Sequence, residues 1–227
     1  MLIPNSSNDR PVSLNDRFPF HCSGCADCCR HVKGVVPLDA ISLFRLTKYL
    51  RDNDVGVTCT NDVLCAFASP SMINDSGFFV YFLRAVEEDE HCVFLDGNRC
   101  SIQEVKPTAC RMYPLQAAPG AEGQFQIVLS IERPHHFTGK KNKVKNWFYR
   151  NMSEDVREFY RYDFGMAPTI NGLLKAVPDH HKEEALLLFH RYRYSDYDLG
   201  KPFLPQFRAN TEKLISELEL LAEDQRR

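Results

Sequence analysis

The stretch "FHCSGCADCCRH" at residues 20–31 places Cys22, Cys25, Cys28 and Cys29 within eight positions of a 227-residue chain. A C-x2-C turn points two sulfurs at a common point, and its iteration here lets three sulfurs converge from one tight loop. Three further thiols, Cys92, Cys100 and Cys110, follow in "HCVFLDGNRCSIQEVKPTACRMYP" (91–114). Seven thiols in two groups exceed what one tetrahedral ion uses, which favours an iron–sulfur cluster, or two metal sites, over a lone structural zinc. The side chains of adjacent residues diverge, so Cys28 and Cys29 are not expected to be equivalent ligands of one ion. One of them is left to bind a second metal, to bridge two, or to stay a free thiol.

Thiolates gathered around a divalent centre leave a net negative cage that nearby cations must offset. Arg30 follows Cys29, Arg99 precedes Cys100 and Arg111 follows Cys110; Arg30 and Arg111 are the candidate residues on the cofactor side. Two other readings compete: incidental buried cysteines, since free cysteine packs as a small hydrophobe, and a redox dithiol. Four thiols in eight residues weigh against the first. Cys59 and Cys65, in "VTCTNDVLCAF", are more loosely spaced and are expected to pack in the core, with either able to supply a missing ligand. His21, His31 and His91 flank cysteines and are kept off the ligand list. The pairs His135–His136 and His180–His181 lack diagnostic spacing and are read as surface.

Positioning these groups requires a scaffold. Residues 1–18 are polar and turn-rich, expected as a flexible arm; residues 19–133 form the cysteine-cluster core and 134–227 a helical region packed on it. Pro37 and Asp39 open a helix whose apolar face is Ile41, Leu43, Phe44, Leu46 and Leu50, ended by "DNDVG". "GFFVYFLRAV" (77–86) and "QFQIVLSI" (124–131) read as strands. From about Lys143 the pattern is helical, with a break at Pro178. "PFLPQF" (202–207) reads as a linker, and a last helix follows with Leu214, Ile215, Leu218 and Leu221 on one stripe. The fold class is therefore α+β: a small antiparallel sheet and cysteine-rich loops packed with helices, the C-terminal half mainly helical.

Composition narrows the function classes. The net charge is −2, with 28 basic and 30 acidic residues, so no chain-wide field favours a nucleic-acid backbone or an anionic membrane. The opening residues show no basic and apolar leader, and no apolar run reaches the roughly 18 residues of a membrane span. The expectation is a soluble cytoplasmic protein with no membrane contact. Nine cysteines are an odd number, and in a reducing compartment they read as metal ligands, catalytic groups or packed thiols before disulfides.

The two cysteine motifs in this order resemble the CxxCxxCC family, the zinc- or iron-chelating domain of YkgJ-type proteins, which includes flagellin lysine N-methylase-like members. The family pattern is approximately C-x2-C-x2-C-C, then C-P-F-L, a turn, C-S-I-Y, R-P and C-R-x-Y-P. Cys22, Cys25, Cys28, Cys29, Cys92, Cys100 and Cys110 fall on its cysteines, and Arg111, Tyr113 and Pro114 on its closing motif. Val93, Gln103 and Lys106 depart from it. Many members carry a further cysteine after the second strand, where this chain reads "SIERPHHFTGK" (130–140).

The resemblance implies metal chelation first; an iron–sulfur cluster or iron is preferred, with zinc as the alternative, because the iterated triad resembles cluster-binding runs more than paired zinc ribbons. A metal-dependent protein-modifying enzyme of the flagellin lysine N-methylase kind is the second reading, although no glycine-rich strand-to-helix fingerprint for its nucleotide cofactor is visible. Enzymatic activity is thus left open. The third reading is a zinc-stabilised interaction module with a protein partner. "GKKNKVKNWFYR" (139–150) joins five basic residues to three aromatics, and reads as the solvated side of a helix with core aromatics rather than as an RNA site.

Overall fold

The computed structural model describes residues 9–86, 90–120 and 122–223. It is an α+β chain in which short antiparallel strands occupy the first 143 residues and helices dominate the rest. Strand β1 (Asp9–Val12) pairs with β8 (Phe125–Ser130), which pairs in turn with β7 (Leu115–Pro119), giving a three-stranded antiparallel sheet. Along β8 the buried Ile127 and Leu129 alternate with less buried neighbours, so one face covers the core. Three two-stranded pairs flank it: β2 (Arg17–Pro19) with β9 (Lys141–Lys143), β3 (Ala68–Met72) with β4 (Phe79–Leu83), and β5 (Leu95–Asp96) with β6 (Arg99–Cys100). From residue 9 onward the polar N-terminal segment is therefore tied into sheet by β1 and β2; residues 1–8 lie outside the described residues.

Helix α1 (Ala40–Asp52) starts where the sequence places it. The Asp39 carboxylate accepts from the Ser42 backbone N–H at 2.8 Å, satisfying one of the donors that a helix start leaves over. Its apolar face, with Leu43 and Leu46 fully buried, forms the centre of the core. Against it lie α2 (Thr60–Phe67) and the five-residue α3 (Thr108–Met112). A Ser42–Thr108 hydroxyl contact at 3.2 Å and the Thr108 N–H donating to Ser42 Oγ at 3.1 Å pin α3, and with it Cys110, onto α1.

The C-terminal helices are α4 (Val144–Asn151), α5 (Glu154–Ala176), α6 (Lys182–His190) and α7 (Phe203–Glu223), with a π-helical turn over Arg191–Ser195. Helix α5 runs through Pro168, the lost backbone bond being offset by burial of Ile170 and Leu174 on one face of the following turns. One feature differs from the sequence reading. The "PFLPQF" segment is not a linker. It is the first turn of α7, where Pro205 occupies a position whose N–H needs no intrahelical partner, and Phe203 and Phe207 are buried. Between α5 and the π turn, Arg193 and Asp163 form a buried ion pair at 2.6 Å, the guanidinium lying against the rings of Phe78, Phe189, Tyr194 and Phe207. Among the described residues no helix is long and apolar enough to cross a membrane.

Candidate metal centre

The loop that carries the first cysteines turns sharply on both sides of Cys25. Gly24 has φ +71° and Ala26 φ +62°, the left-handed region that glycine enters freely and alanine only at a cost of about 1 kcal/mol. A 3-10 turn over Asp27–Cys29 follows, closed by the Cys29 N–H donating to the Ala26 carbonyl at 2.8 Å. Cys25 and Cys28, equivalent in the sequence motif, consequently face different groups.

The backbone ties Cys29 to the second cysteine loop. The Cys92 N–H donates to the Cys29 carbonyl at 2.8 Å, which stitches the first cysteine loop to the second. Cys92 also bridges Ala85, Cys100 pairs with Leu95 across the β5–β6 hairpin, and Cys110 sits inside α3. The sulfurs of Cys28 and Cys29 lie 3.9 Å apart. Cys28 is held down, to about 6, by the hydrogen bond with Cys29 and by the cations of Lys106 and Arg133, against the effect of burial. Cys29 is pushed up by that same hydrogen bond, by burial, and by the negative charge of Cys28, Cys110 and Cys100. Burial raises Cys92 and Cys100, and raises Cys110 to about 12, with Cys92, Cys100 and Cys28 adding to the Cys110 shift. These five thiols share one electrostatic neighbourhood, with Lys106 acting on Cys28, Cys92, Cys100 and Cys110 alike.

Cys25 faces a second group. Its sulfur lies 3.1 Å from Nε2 of His136 and 3.9 Å from Nε2 of His135, and His135 Nε2 lies 2.9 Å from Oδ2 of Asp27. One ligand atom from each of Cys25, Asp27, His135 and His136 falls within 4.8 Å of all the others. His136 is buried, and its other ring nitrogen, Nδ1, is 2.8 Å from the Tyr113 hydroxyl. Phe20 packs edge-on to His136, Tyr113 and Trp147, with centroids 6.1, 5.8 and 5.3 Å away. Trp147 is itself fixed by its indole N–H donating to the Met112 carbonyl at 3.0 Å. Burial and the neighbouring His135 lower His136, favouring the neutral imidazole that a metal requires. Burial raises Tyr113 to about 12, with the charges of Cys28 and Cys25 both contributing, so its phenol stands between the two groups.

Several sequence expectations change here. Of the pair read as surface, His135 is exposed but His136 is buried, and a 3-10 turn over Pro134–His136 brings both to Cys25. Cys59 and Cys65 do not pack in the core; both are exposed. Cys22 is exposed too. Arg30 donates to Asn98 Oδ1 at 3.3 Å, tying the first loop to the β5–β6 turn. Arg111 braces the 104–106 loop, donating from Nε to the Lys106 carbonyl at 3.1 Å and from Nη2 to the Glu104 carbonyl. The cations that act on Cys28 include Lys106 and Arg133. Arg133 donates to the Arg30 carbonyl at 3.2 Å, which holds it at the loop. The sequence reading did not single out either of these two.

No curated protein and no solved structure matches this chain. The sequence pattern of CxxCxxCC, described as "Putative zinc- or iron-chelating domain", matches residues 21–145, which include both thiol loops, Tyr113 and the two histidines. Spanning more than half of the chain and all of the candidate ligands just described, that match makes this protein a member of the CxxCxxCC family.

Proposed function

We propose that this chain chelates iron, as an iron–sulfur cluster, in the pocket of Cys28, Cys29, Cys92, Cys100 and Cys110, with a zinc or iron ion as the alternative occupant. The observation that carries the reading is the Cys92 N–H bond to the Cys29 carbonyl, because it brings thiols more than sixty residues apart into one charge neighbourhood. A cluster and a tetrahedral zinc each take four cysteines, so five thiols can furnish either; the iterated C-x2-C spacing at residues 22–28 is the feature shared with cluster-binding runs. Lys106 and Arg133 offset part of the negative charge that the bound form would carry. Cys22, exposed at the start of the loop, is the first member of that spacing. Arg30 and Arg111 act as braces of the loops that hold the thiols.

The test is purification without air, followed by elemental analysis, acid-labile sulfide determination and an absorption spectrum. A cluster gives iron, sulfide and a brown protein; zinc without colour selects the alternative occupant. Cys92→Ser combined with Cys110→Ser is expected to abolish the pocket's metal. Protein that holds neither metal nor sulfide would end this reading.

A further inference from the structure

We infer that Cys25, Asp27, His135 and His136 form a separate mononuclear site for zinc(II), beside the five-thiol pocket and independent of its filling. The inference deepens the chelation reading above but does not need the pocket to hold a cluster.

Geometry is the first support. Zinc bonds of about 2.0–2.3 Å in a tetrahedron place neighbouring donor atoms about 3.3–3.5 Å apart. The donors here stand 2.9, 3.1 and 3.9 Å apart where they touch, and no pair of the four exceeds 4.8 Å.

Donor chemistry is the second. One thiolate, one carboxylate and two neutral imidazoles carry a charge of −2, which a divalent ion cancels, so the filled site adds no net charge to a half-buried position. Mixed nitrogen, sulfur and oxygen donors suit zinc, whereas magnesium and calcium take oxygen, and iron–sulfur clusters draw mainly on several thiolates where this site offers one.

Orientation is the third and independent support. With Nε2 of His136 committed to a metal, Nδ1 carries the proton and donates to the Tyr113 hydroxyl at 2.8 Å, the outer hydrogen bond that metal-bound histidines characteristically make. An ordinary surface pairing of His135 with Asp27 would contribute little to stability and would not require His136 to be buried and braced by Phe20, Tyr113 and Trp147. The ion would also clamp the 22–29 loop to the 133–136 turn, which lie more than a hundred residues apart in sequence. The side chains of His135 and Asp27 are 53% and 37% exposed, so this ion is expected to exchange with a soluble chelator sooner than metal in the thiol pocket.

The experiment uses the full chain, prepared reduced and without air, loaded with zinc and freed of excess. Zinc is counted on wild type and on Asp27→Ala/His135→Ala, which alters only the exposed half of the site, with circular dichroism to verify the fold. The variant is expected to lose one equivalent of zinc per chain while the pocket's metal is unchanged. Zinc X-ray absorption on Cys92→Ser/Cys110→Ser is expected to show one sulfur and two imidazoles. A variant that keeps its full zinc content, or a zinc environment of sulfur alone, would overturn the inference. A chain that holds this single zinc and no other metal would refute the thiol-pocket reading and leave the second site standing.

Discussion

Replacing Tyr113 by phenylalanine isolates one atom of the arrangement around His136. The ring stays, and with it the edge-on packing against Phe20 and His136 at 5.8 and 5.6 Å. What goes is the oxygen 2.8 Å from His136 Nδ1. When Nε2 binds zinc, that oxygen accepts the Nδ1 proton, fixes the tautomer and strengthens the imidazole as a ligand; losing such a partner weakens metal binding by about 10–100-fold. In free energy this is about 1.4–2.7 kcal/mol. Without metal the same change removes one ordinary hydrogen bond, about 0.5–1.5 kcal/mol of stability. The assay is a competition titration of zinc against a chromophoric chelator at fixed pH, run on wild type and Tyr113→Phe, with urea unfolding of both metal-free proteins as the control. The expected result is a larger loss in zinc affinity than in metal-free stability. Equal zinc affinities within twofold would refute the reasoning, as would an unchanged Tyr113→Phe effect in a Cys25→Ser/His136→Gln background, since the effect could then not be passing through this site.

Three further outcomes follow from other parts of the molecule. Asp163→Asn strands the Arg193 guanidinium, whose side chain is 8% exposed, and is expected to cost about 3–5 kcal/mol in urea unfolding; a change under about 1 kcal/mol would show the pair to be dispensable. The Asp62 carboxylate accepts from the Thr58 hydroxyl, the Thr58 N–H and the Cys59 N–H and is thereby held down, to about 2. Because its folded value lies below its unfolded one, its contribution is present above the ordinary carboxylate range and is lost as pH falls through about 2; Asp62→Asn should therefore lower the urea midpoint at pH 6, by an amount that shrinks steadily as the pH is brought down toward 2. In the metal-free reduced protein at neutral pH, an alkylating probe mapped by mass spectrometry should label Cys28 before Cys110, since Cys29 and nearby cations favour the Cys28 thiolate while burial raises Cys110 to about 12. The reverse order would contradict the charge arrangement of the pocket.

Local signals were legible wherever the physics is local. The Asp39 cap and the spacing of Ile41, Leu43, Phe44, Leu46 and Leu50 define α1 within a residue. The alternation in 124–131 identifies β8, and the β-branched and aromatic run at 77–86 identifies β4. The iterated C-x2-C spacing likewise points to residues 22–29 as a candidate metal-binding loop without any knowledge of their surroundings. Where a local signal had two meanings, packing chose between them: the proline in "PFLPQF" fits a linker as well as a first helical turn, and only the burial of Phe203 and Phe207 decides for the helix.

The division of the site was decided by tertiary structure. Nothing in the residue types foretells that Ala26 adopts a left-handed backbone, since that conformation favours glycine, yet this turn separates the surroundings of Cys25 from those of Cys28. His135 and His136 carry no spacing that links them to a cysteine 110 residues earlier. They reach it because β8, paired on both sides by β1 and β7, ends beside the 133–136 turn, and because Phe20 and Trp147 pack His136 in place. The chain thus determined which thiols were available and on what loops. Which histidines, carboxylate and cations meet them depended on contacts between segments remote in sequence, whose geometry is fixed by the packed sheet and helices and leaves no period or motif to read.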